Sequence, residues 1–243
     1  MITLTLWQMR WRLLVLALIA VLFYLLEPGF HLHGEVGEEV AAEVSDPGGI
    51  AFTLANLAGA GMLVLLAGFI SADRREGYYR IHFSHRTRPL AYYGVRWALA
   101  YAISVGAAAA FLVVGQLLAW GELRVGPGAM AQPALFALVY GGLVAFFSVL
   151  LPRGDALAAV GVFVLTSAWE YALSVFAEMG TQPLSPTVQQ AISFLLPPHL
   201  ALRDVYQAAS LGSTAWGALA FACGYGLFWL AAAGLLLWSR EWP

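Results

Sequence analysis

Long apolar runs separated by short polar segments make up most of this chain. Each run approaches or exceeds the roughly 20 residues with which a helix crosses the ~30 Å apolar core of a bilayer. We predict six membrane-spanning helices at residues 13–30, 49–72, 89–120, 134–151, 156–177 and 214–238. Hydrophobic residues make up 61% of the chain and charged residues 11%, against about 25% charged in soluble domains. The sequence therefore predicts an all-α integral membrane protein, with residues 1–243 forming a single transmembrane domain.

A further apolar segment, residues 186–209, is interrupted and lies before the last span. Ser185-Pro186 is typical of a helix start, and Pro197-Pro198 ends that helix after about eleven residues. A second short helix follows, and neither is long enough to cross a membrane. We interpret the pair as a helical hairpin that dips into the outer leaflet; two amphipathic surface helices are the alternative.

The distribution of arginine predicts the orientation. Loops on the cytoplasmic side carry the excess of basic residues. In the predicted topology ten arginines lie inside, namely Arg10, Arg12, Arg74, Arg75, Arg80, Arg86, Arg88, Arg96, Arg153 and Arg240, and two, Arg124 and Arg203, lie outside. Both termini are then cytoplasmic, and we expect a multi-pass protein of the inner (plasma) membrane.

The most highly charged stretch follows the second span, and we predict a short surface helix at residues 73–83. Asp73 would cap the backbone of a helix that begins at Arg74, and Glu76 and Arg80 would stand one turn apart in the favourable order. The alternative is a charged loop that only sets the topology.

Two further groups of polar residues could carry chemistry. His31 and His33 with Glu35 have a spacing that could collect a divalent metal. The segment that contains them, residues 27–46, has six acids and no arginine. We therefore favour an outward-facing acidic loop and predict no metal site. Glu170 lies within the fifth predicted span, where a carboxylate is a candidate for function. Its position near the outer boundary, beside Trp169, also suits a plain interfacial residue, and we see no partner for it within the spans.

The chain contains no phosphate-binding loop, no zinc-protease helix, no nucleophile elbow and no dinucleotide-binding glycine pattern. If the chain belongs to an energised transporter, its motor must therefore be another polypeptide.

The segment after the second span resembles a known family. The resemblance is carried by Gly68-x-Ile70-x-x-Asp73-Arg74-Arg75-x-Gly77, then Ser84, then Tyr92-x-Gly94-x-Arg96. This pattern is similar to that of type-2 permeases of ATP-binding-cassette exporters, as are the six spans and the broken segment before the last one. In this chain Arg96 replaces the lysine that is usual in the family.

The resemblance implies a permease that works as a dimer with a second copy or a homologue, powered by a cytoplasmic ATPase that holds ATP and Mg²⁺. The surface helix would be the coupling helix, with Asp73, Arg74, Arg75, Glu76, Gly77, Tyr78 and Arg80 meeting the ATPase. The hairpin, with Pro197 and Pro198, would form part of the outer gate, and Glu170 is a candidate for the pathway. The resemblance implies no enzymatic activity, no cofactor in this chain and no nucleic-acid partner. A non-transporting scaffold or assembly factor and an intramembrane enzyme remain the alternatives.

Overall fold

The computed structural model describes residues 2–26, 47–77, 88–123, 125–181 and 184–241. All regular structure in these ranges is helical, as predicted. The helices are α1 (Ile2–Leu26), α2 (Pro47–Leu66), α3 (Ser71–Arg75), α4 (Pro89–Trp120), a 3₁₀ helix (Pro127–Met130), α5 (Ala131–Leu150), α6 (Asp155–Glu178), α7 (Pro186–Leu195), α8 (His199–Ser210) and α9 (Trp216–Glu241).

Six helical segments in this part of the chain are long and apolar enough to cross a membrane. They are Thr5–Leu26, Thr53–Arg75, Pro89–Leu118, Pro127–Leu150, Asp155–Glu178 and Trp216–Ser239. This result confirms the prediction of six apolar helices and indicates a multi-pass membrane protein. The second of these segments is not one continuous helix, because α2 ends at Leu66 and α3 begins at Ser71.

Helix α5 lies at the centre of the bundle and packs against α2, α4, α6, α8 and α9. Small residues allow its closest approach to α9. A Cβ added at Gly142 would lie 2.5 Å from the carbonyl oxygen of Gly226, and one added at Gly226 would lie 2.8 Å from the Leu138 side chain. Backbones approach this closely in membrane bundles where glycine leaves room for them.

Helices α1, α6 and α9 lie at the periphery, and few of their residues are buried. Large apolar side chains such as Leu18 on α1, Leu165 on α6 and Phe228 on α9 are more than half exposed. In a soluble protein such surfaces would favour aggregation, but in a bilayer they face lipid or another membrane helix.

The helices run alternately between two ends of the bundle. The end of α2, the starts of α4 and α6 and the end of α5 meet at one end, which we call the junction end. Arg12 of α1 reaches the same end, and Gly234 of α9 lies near Leu90 at the start of α4. The 3₁₀ helix, α7 and α8 lie at the opposite end, which we call the hairpin end.

Two short helices separated by Leu196, Pro197 and Pro198 occupy the segment for which the hairpin is predicted. The Tyr225 hydroxyl donates a hydrogen bond to the Leu195 carbonyl at 2.9 Å, which joins the end of α7 to α9. Helix α8 is anchored more deeply, because Leu202 and Val205 are buried in a cluster with residues of α5 and α9. The depth of this hairpin in a membrane stays a prediction.

Candidate functional site

A break in the second span organises the junction end. Helix α2 ends at Leu66, residues 67–70 form a turn, and Gly68 adopts a φ of +66° that favours glycine. A break of this kind leaves backbone N–H and C=O groups without helical partners, and in an apolar surrounding each needs a replacement. Side chains from the neighbouring helices supply those replacements.

Asp155, at the start of α6, binds the freed donors of the turn. Its two carboxylate oxygens accept hydrogen bonds from the Gly68 N–H at 3.1 and 3.0 Å, and one also accepts from the Ser71 hydroxyl at 3.2 Å. The Ala156 N–H donates to the same carboxylate at 2.9 Å. Asp155 is buried, and a buried carboxylate is stable when such donors surround it.

Ser148 of α5 satisfies the next part of the turn. Its hydroxyl oxygen accepts from the N–H groups of Ile70 at 2.9 Å and Ser71 at 3.1 Å. Arginines bind carbonyl groups near the ends of two helices: Arg12 donates to Leu65 of α2 at 2.7 Å, and Arg74 donates to Val149 of α5 at 2.9 Å.

A nearly buried ion pair ties α3 to α4. Arg96 donates to Asp73 at 2.7 Å and to the Phe69 carbonyl at 3.2 Å, and the Tyr93 hydroxyl also donates to Asp73 at 3.2 Å. The predicted capping role of Asp73 is therefore wrong. Helix α3 begins at Ser71, so Asp73 already lies within it, and the carboxylate serves as the counter-charge that the Arg96 guanidinium needs when buried.

The predicted coupling residues divide into two groups in this structure. Asp73 and Arg74 are bonded to other helices, whereas Arg75 and Glu76 are exposed and form a surface pair at 3.5 Å. Gly77 adopts a φ of +76°, and the helix ends at Arg75. A helix that runs without interruption from 73 to 83 is thus not formed, because Gly77 turns the chain out of the helical conformation. Tyr78 and Arg80 lie outside the described residues.

A surface cavity of about 420 Å³ lies between α3 and the turn that joins α5 to α6. It is lined by Arg74, Arg75 and Arg153, with Ser71, Leu150, Leu151 and Pro152. The junction end thus combines a fixed polar interior with a basic concave surface.

A second polar cluster, at the hairpin end, contains the candidate pathway residue. The Tyr140 hydroxyl of α5 lies 2.7 Å from His199 Nε2, and His199 Nδ1 lies 3.5 Å from Glu170 Oε2. Glu170, for which the sequence offered no partner within the spans, thus has a partner outside them. Its partner comes from the hairpin and not from a span, since His199 is the first residue of α8.

Aromatic rings hold the His199 imidazole in place. Phe136 stacks on it with ring centroids 5.6 Å apart and an angle of 22° between planes, and Phe163 lies at 5.6 Å on a steeper angle. Sequence analysis did not identify His199. Its position directly after Pro197-Pro198, at the start of a short helix, was the available signal.

Glu170, Pro197 and Pro198 line one cavity of about 350 Å³, together with His199. The structure thus brings together the residues that the sequence suggested for a gate, at the opposite end from the coupling residues. Among the described residues, no three His, Cys, Asp or Glu side chains converge as metal ligands do. His31, His33 and Glu35 lie outside the described part of the chain.

Four of the residues that carry the family resemblance are close together in space. Gly68, Asp73, Arg74 and Arg96 all belong to the hydrogen-bonded network at the junction end. Comparison of the chain with protein-family models, with curated proteins and with solved structures gave no match.

Proposed function

We propose that this chain is the permease subunit of an ATP-binding-cassette exporter, with the junction end at the cytoplasmic face of the inner (plasma) membrane. In this proposal α3 is the inner part of the coupling segment and receives a separate ATPase, which binds ATP and Mg²⁺. The observation that carries the proposal is the attachment of α3 to the spans. Its Asp73 and Arg74 bond to α4 and α5, and the turn before it bonds to α5 and α6.

This attachment is what a coupling element requires. A segment that transmits a push from an ATPase must move together with the spans, so its contacts to them have to be directional and buried. A loop that only sets topology needs basic charge on the cytoplasmic side and no such contacts. The buried bonds to Asp155, Ser148 and Arg96 therefore favour the coupling interpretation over the charged loop.

The charged side chains that α3 leaves exposed form the surface for the partner. Arg75 and Glu76 are about half exposed, and Arg153 shares a cavity with Arg75. An acidic side chain of the ATPase would find two guanidinium groups there, and complementary charges of this kind steer association and fix its register. The exposed apolar sides of α1, α6 and α9 are available for lipid and for a second permease subunit.

The test is co-purification followed by a functional assay. The chain, tagged and expressed in its native host, is purified in mild detergent, and bound subunits are identified and examined for a phosphate-binding loop. We expect an ATPase whose hydrolysis rate in proteoliposomes changes when the permease is present. If no such ATPase is bound, or if its activity ignores the permease, the scaffold alternative is favoured.

Matched charge reversals locate the contact. Arg75→Glu with Arg153→Glu should reduce the retained ATPase about tenfold or more, because two interfacial charges change sign. Arg203→Glu reverses an exposed arginine on α8, at the other end of the bundle, and should leave retention unchanged. Arg74 is unsuitable for this test, since its side chain also bonds to Val149 within the chain. Equal retention in both variants would contradict docking at α3.

A further inference from the structure

The cavity at the hairpin end combines negative charge with apolar walls. Glu170 and Asp204 contribute two carboxylates, and no arginine or lysine is found among the described residues that line it. Trp169 and Phe221 contribute aromatic surface, and Pro197 and Pro198 contribute aliphatic surface. A volume of about 350 Å³ lies in the range that holds small organic molecules.

The two ring nitrogens of His199 contact different side chains, Tyr140 at Nε2 and Glu170 at Nδ1. If Tyr140 donates to Nε2, then Nδ1 carries the hydrogen and points at the Glu170 carboxylate. The opposite tautomer would place the Nδ1 lone pair against a carboxylate, which is repulsive. With a hydrogen on Nδ1, the imidazole points an N–H group at Glu170 and orients that side chain.

This contact leaves Glu170 available for a stronger partner. The distance of 3.5 Å from His199 Nδ1 to Glu170 Oε2 exceeds that of an ordinary N–H···O hydrogen bond. The Glu170 side chain is 29% exposed, against 12% for His199. It can therefore accept a cationic group that enters the cavity while His199 stays in place.

We infer that this cavity is a binding site for an organic cation with an apolar body. The cationic centre lies at Glu170, with Asp204 adding negative potential, and the apolar part contacts Trp169 and Phe221. Cations are attracted to aromatic faces as well as to carboxylates. His199 and Tyr140 are positioning residues for the Glu170 carboxylate.

Two other uses of the cluster fit less well. A metal ion would need at least three converging ligands, and no such group is found among the described residues. Catalysis by the Tyr140 hydroxyl would need that oxygen to face a substrate, yet Tyr140 is 1% exposed and does not line the cavity.

Binding is tested on the purified chain in detergent without any ATPase. The cation-binding result and the ATPase-docking result are therefore independent, and either proposal can fail while the other holds. The probe is radiolabelled tetraphenylphosphonium, measured by scintillation proximity. Tetraphenylborate, which has the same size and shape and the opposite charge, is measured in a separate sample, because the two ions form an insoluble salt when mixed. We expect saturable binding of the cation and weak binding of the anion.

Two pairs of variants locate the binding site. Glu170→Gln should weaken phosphonium binding roughly tenfold or more, because the charge partner is lost, whereas Glu178→Gln, at the exposed end of the same helix, should have no effect. Gly217 lines the cavity, and a Cβ added at this position would have no atom within 4 Å, so there is room for a side chain. The side chain of Gly217→Leu should therefore occupy the cavity and weaken phosphonium binding without disturbing the fold. Gly224→Leu adds the same side chain at another exposed position of α9 and should bind normally.

Phosphonium binding by a further variant tests whether His199 and Tyr140 position the Glu170 carboxylate. Tyr140→Phe should weaken phosphonium binding severalfold. When Glu170 is already replaced by Gln, adding Tyr140→Phe should cause no further loss of binding, since Tyr140 and His199 act only through the Glu170 carboxylate. Equal binding of the phosphonium and the borate would overturn the inference. So would normal phosphonium binding by both Glu170→Gln and Gly217→Leu.

Discussion

At the residue scale, Asp155 is the side chain on which the break in the second span depends. It is buried and accepts hydrogen bonds from the backbone of Gly68, the hydroxyl of Ser71 and the backbone of Ala156. The Gly68 donor and the Asp155 acceptor lie 87 positions apart in the sequence, so this contact depends on how the helices pack. One acidic residue thus joins the start of α6 to the end of α2.

Removing this carboxylate should destabilise the fold. Asp155→Ala leaves several buried donors without an acceptor, at a cost of about 1–3 kcal/mol for each group that stays unsatisfied. We expect a lower thermal midpoint in detergent, followed by tryptophan fluorescence. Glu178→Gln changes an exposed acid at the far end of α6 and should unfold at the wild-type temperature. An unchanged midpoint for Asp155→Ala would show that the break does not depend on this residue.

The Asp73–Arg96 pair predicts a characteristic pattern of non-additivity. Breaking a buried pair from one side leaves an uncompensated charge and typically costs about 3–5 kcal/mol, whereas replacing both partners by neutral groups is often much less harmful. Asp73→Asn and Arg96→Met should therefore each destabilise the protein more than the double variant does.

A double-mutant cycle of unfolding free energies measures this coupling. The ion-pair side chains are 16% and 8% exposed, so solvent screens them little. Additive effects of the two single substitutions would show that the charges do not interact in the folded protein.

At the element scale, the crossing of α5 and α9 depends on glycine. A Cβ at position 142 would lie 2.5 Å from the Gly226 carbonyl oxygen, which is backbone and cannot rotate away. Gly142→Ala should separate the two helices and destabilise the fold by about 1–3 kcal/mol, the usual cost of overpacking. Thermal unfolding in detergent measures the effect.

Gly161 provides the matched control for this prediction. It lies within a long helix, α6, and a Cβ there meets no atom within 4 Å. Gly161→Ala should be neutral or slightly stabilising, because alanine favours helix more than glycine does. The same loss of stability in both variants would mean that the α5–α9 crossing is not the cause.

Hydropathy predicts the six apolar helices but not where the second one breaks. Residues 67–72 are largely apolar, so the pattern continues the span to 72, whereas α2 ends at Leu66. The turn is stable because Asp155 and Ser148, distant in sequence, accept its backbone donors. Turn chemistry was easier to predict at the hairpin, where Pro186 starts α7 and the Pro197-Pro198 pair separates it from α8.

At the candidate sites, too, single residues could be predicted from the sequence, whereas their contacts depend on the tertiary structure. An acid in an apolar run identifies Glu170 from sequence alone. Its pairing with His199 depends on how the hairpin folds back onto α5 and α6, and no spacing rule encodes that distance. The exposed charges of α3 were predictable from composition, but the inward position of Asp73 was not.

At the scale of the whole molecule, the bundle has two chemically distinct ends. The junction end concentrates arginine and buried hydrogen bonds to the backbone, whereas the hairpin end carries two lining carboxylates and aromatic rings. Helix α5 connects them directly, with Ser148 at one end and Tyr140 in the hairpin cluster.

Two-sided labelling tests the placement of these ends. Cys223 is the single cysteine, so Cys223→Ala provides a background for Arg153→Cys at the junction end and Glu122→Cys at the other. Both positions are exposed. We expect a membrane-impermeant maleimide to label position 122 in intact cells and position 153 only after the membrane is permeabilised, because the other arginines at the junction end favour the cytoplasmic side.

The labelling pattern tests the arrangement of the helices and the orientation of the bundle in the membrane separately. The alternating course of the helices requires positions 122 and 153 to lie on opposite sides, since only α5 and the 3₁₀ helix stand between them. Labelling of both from the same side would contradict the arrangement of the bundle itself. Opposite sides in the reverse sense would preserve the bundle, but α3 would then face outward, where no cytoplasmic ATPase can reach it, and the proposed function would be wrong.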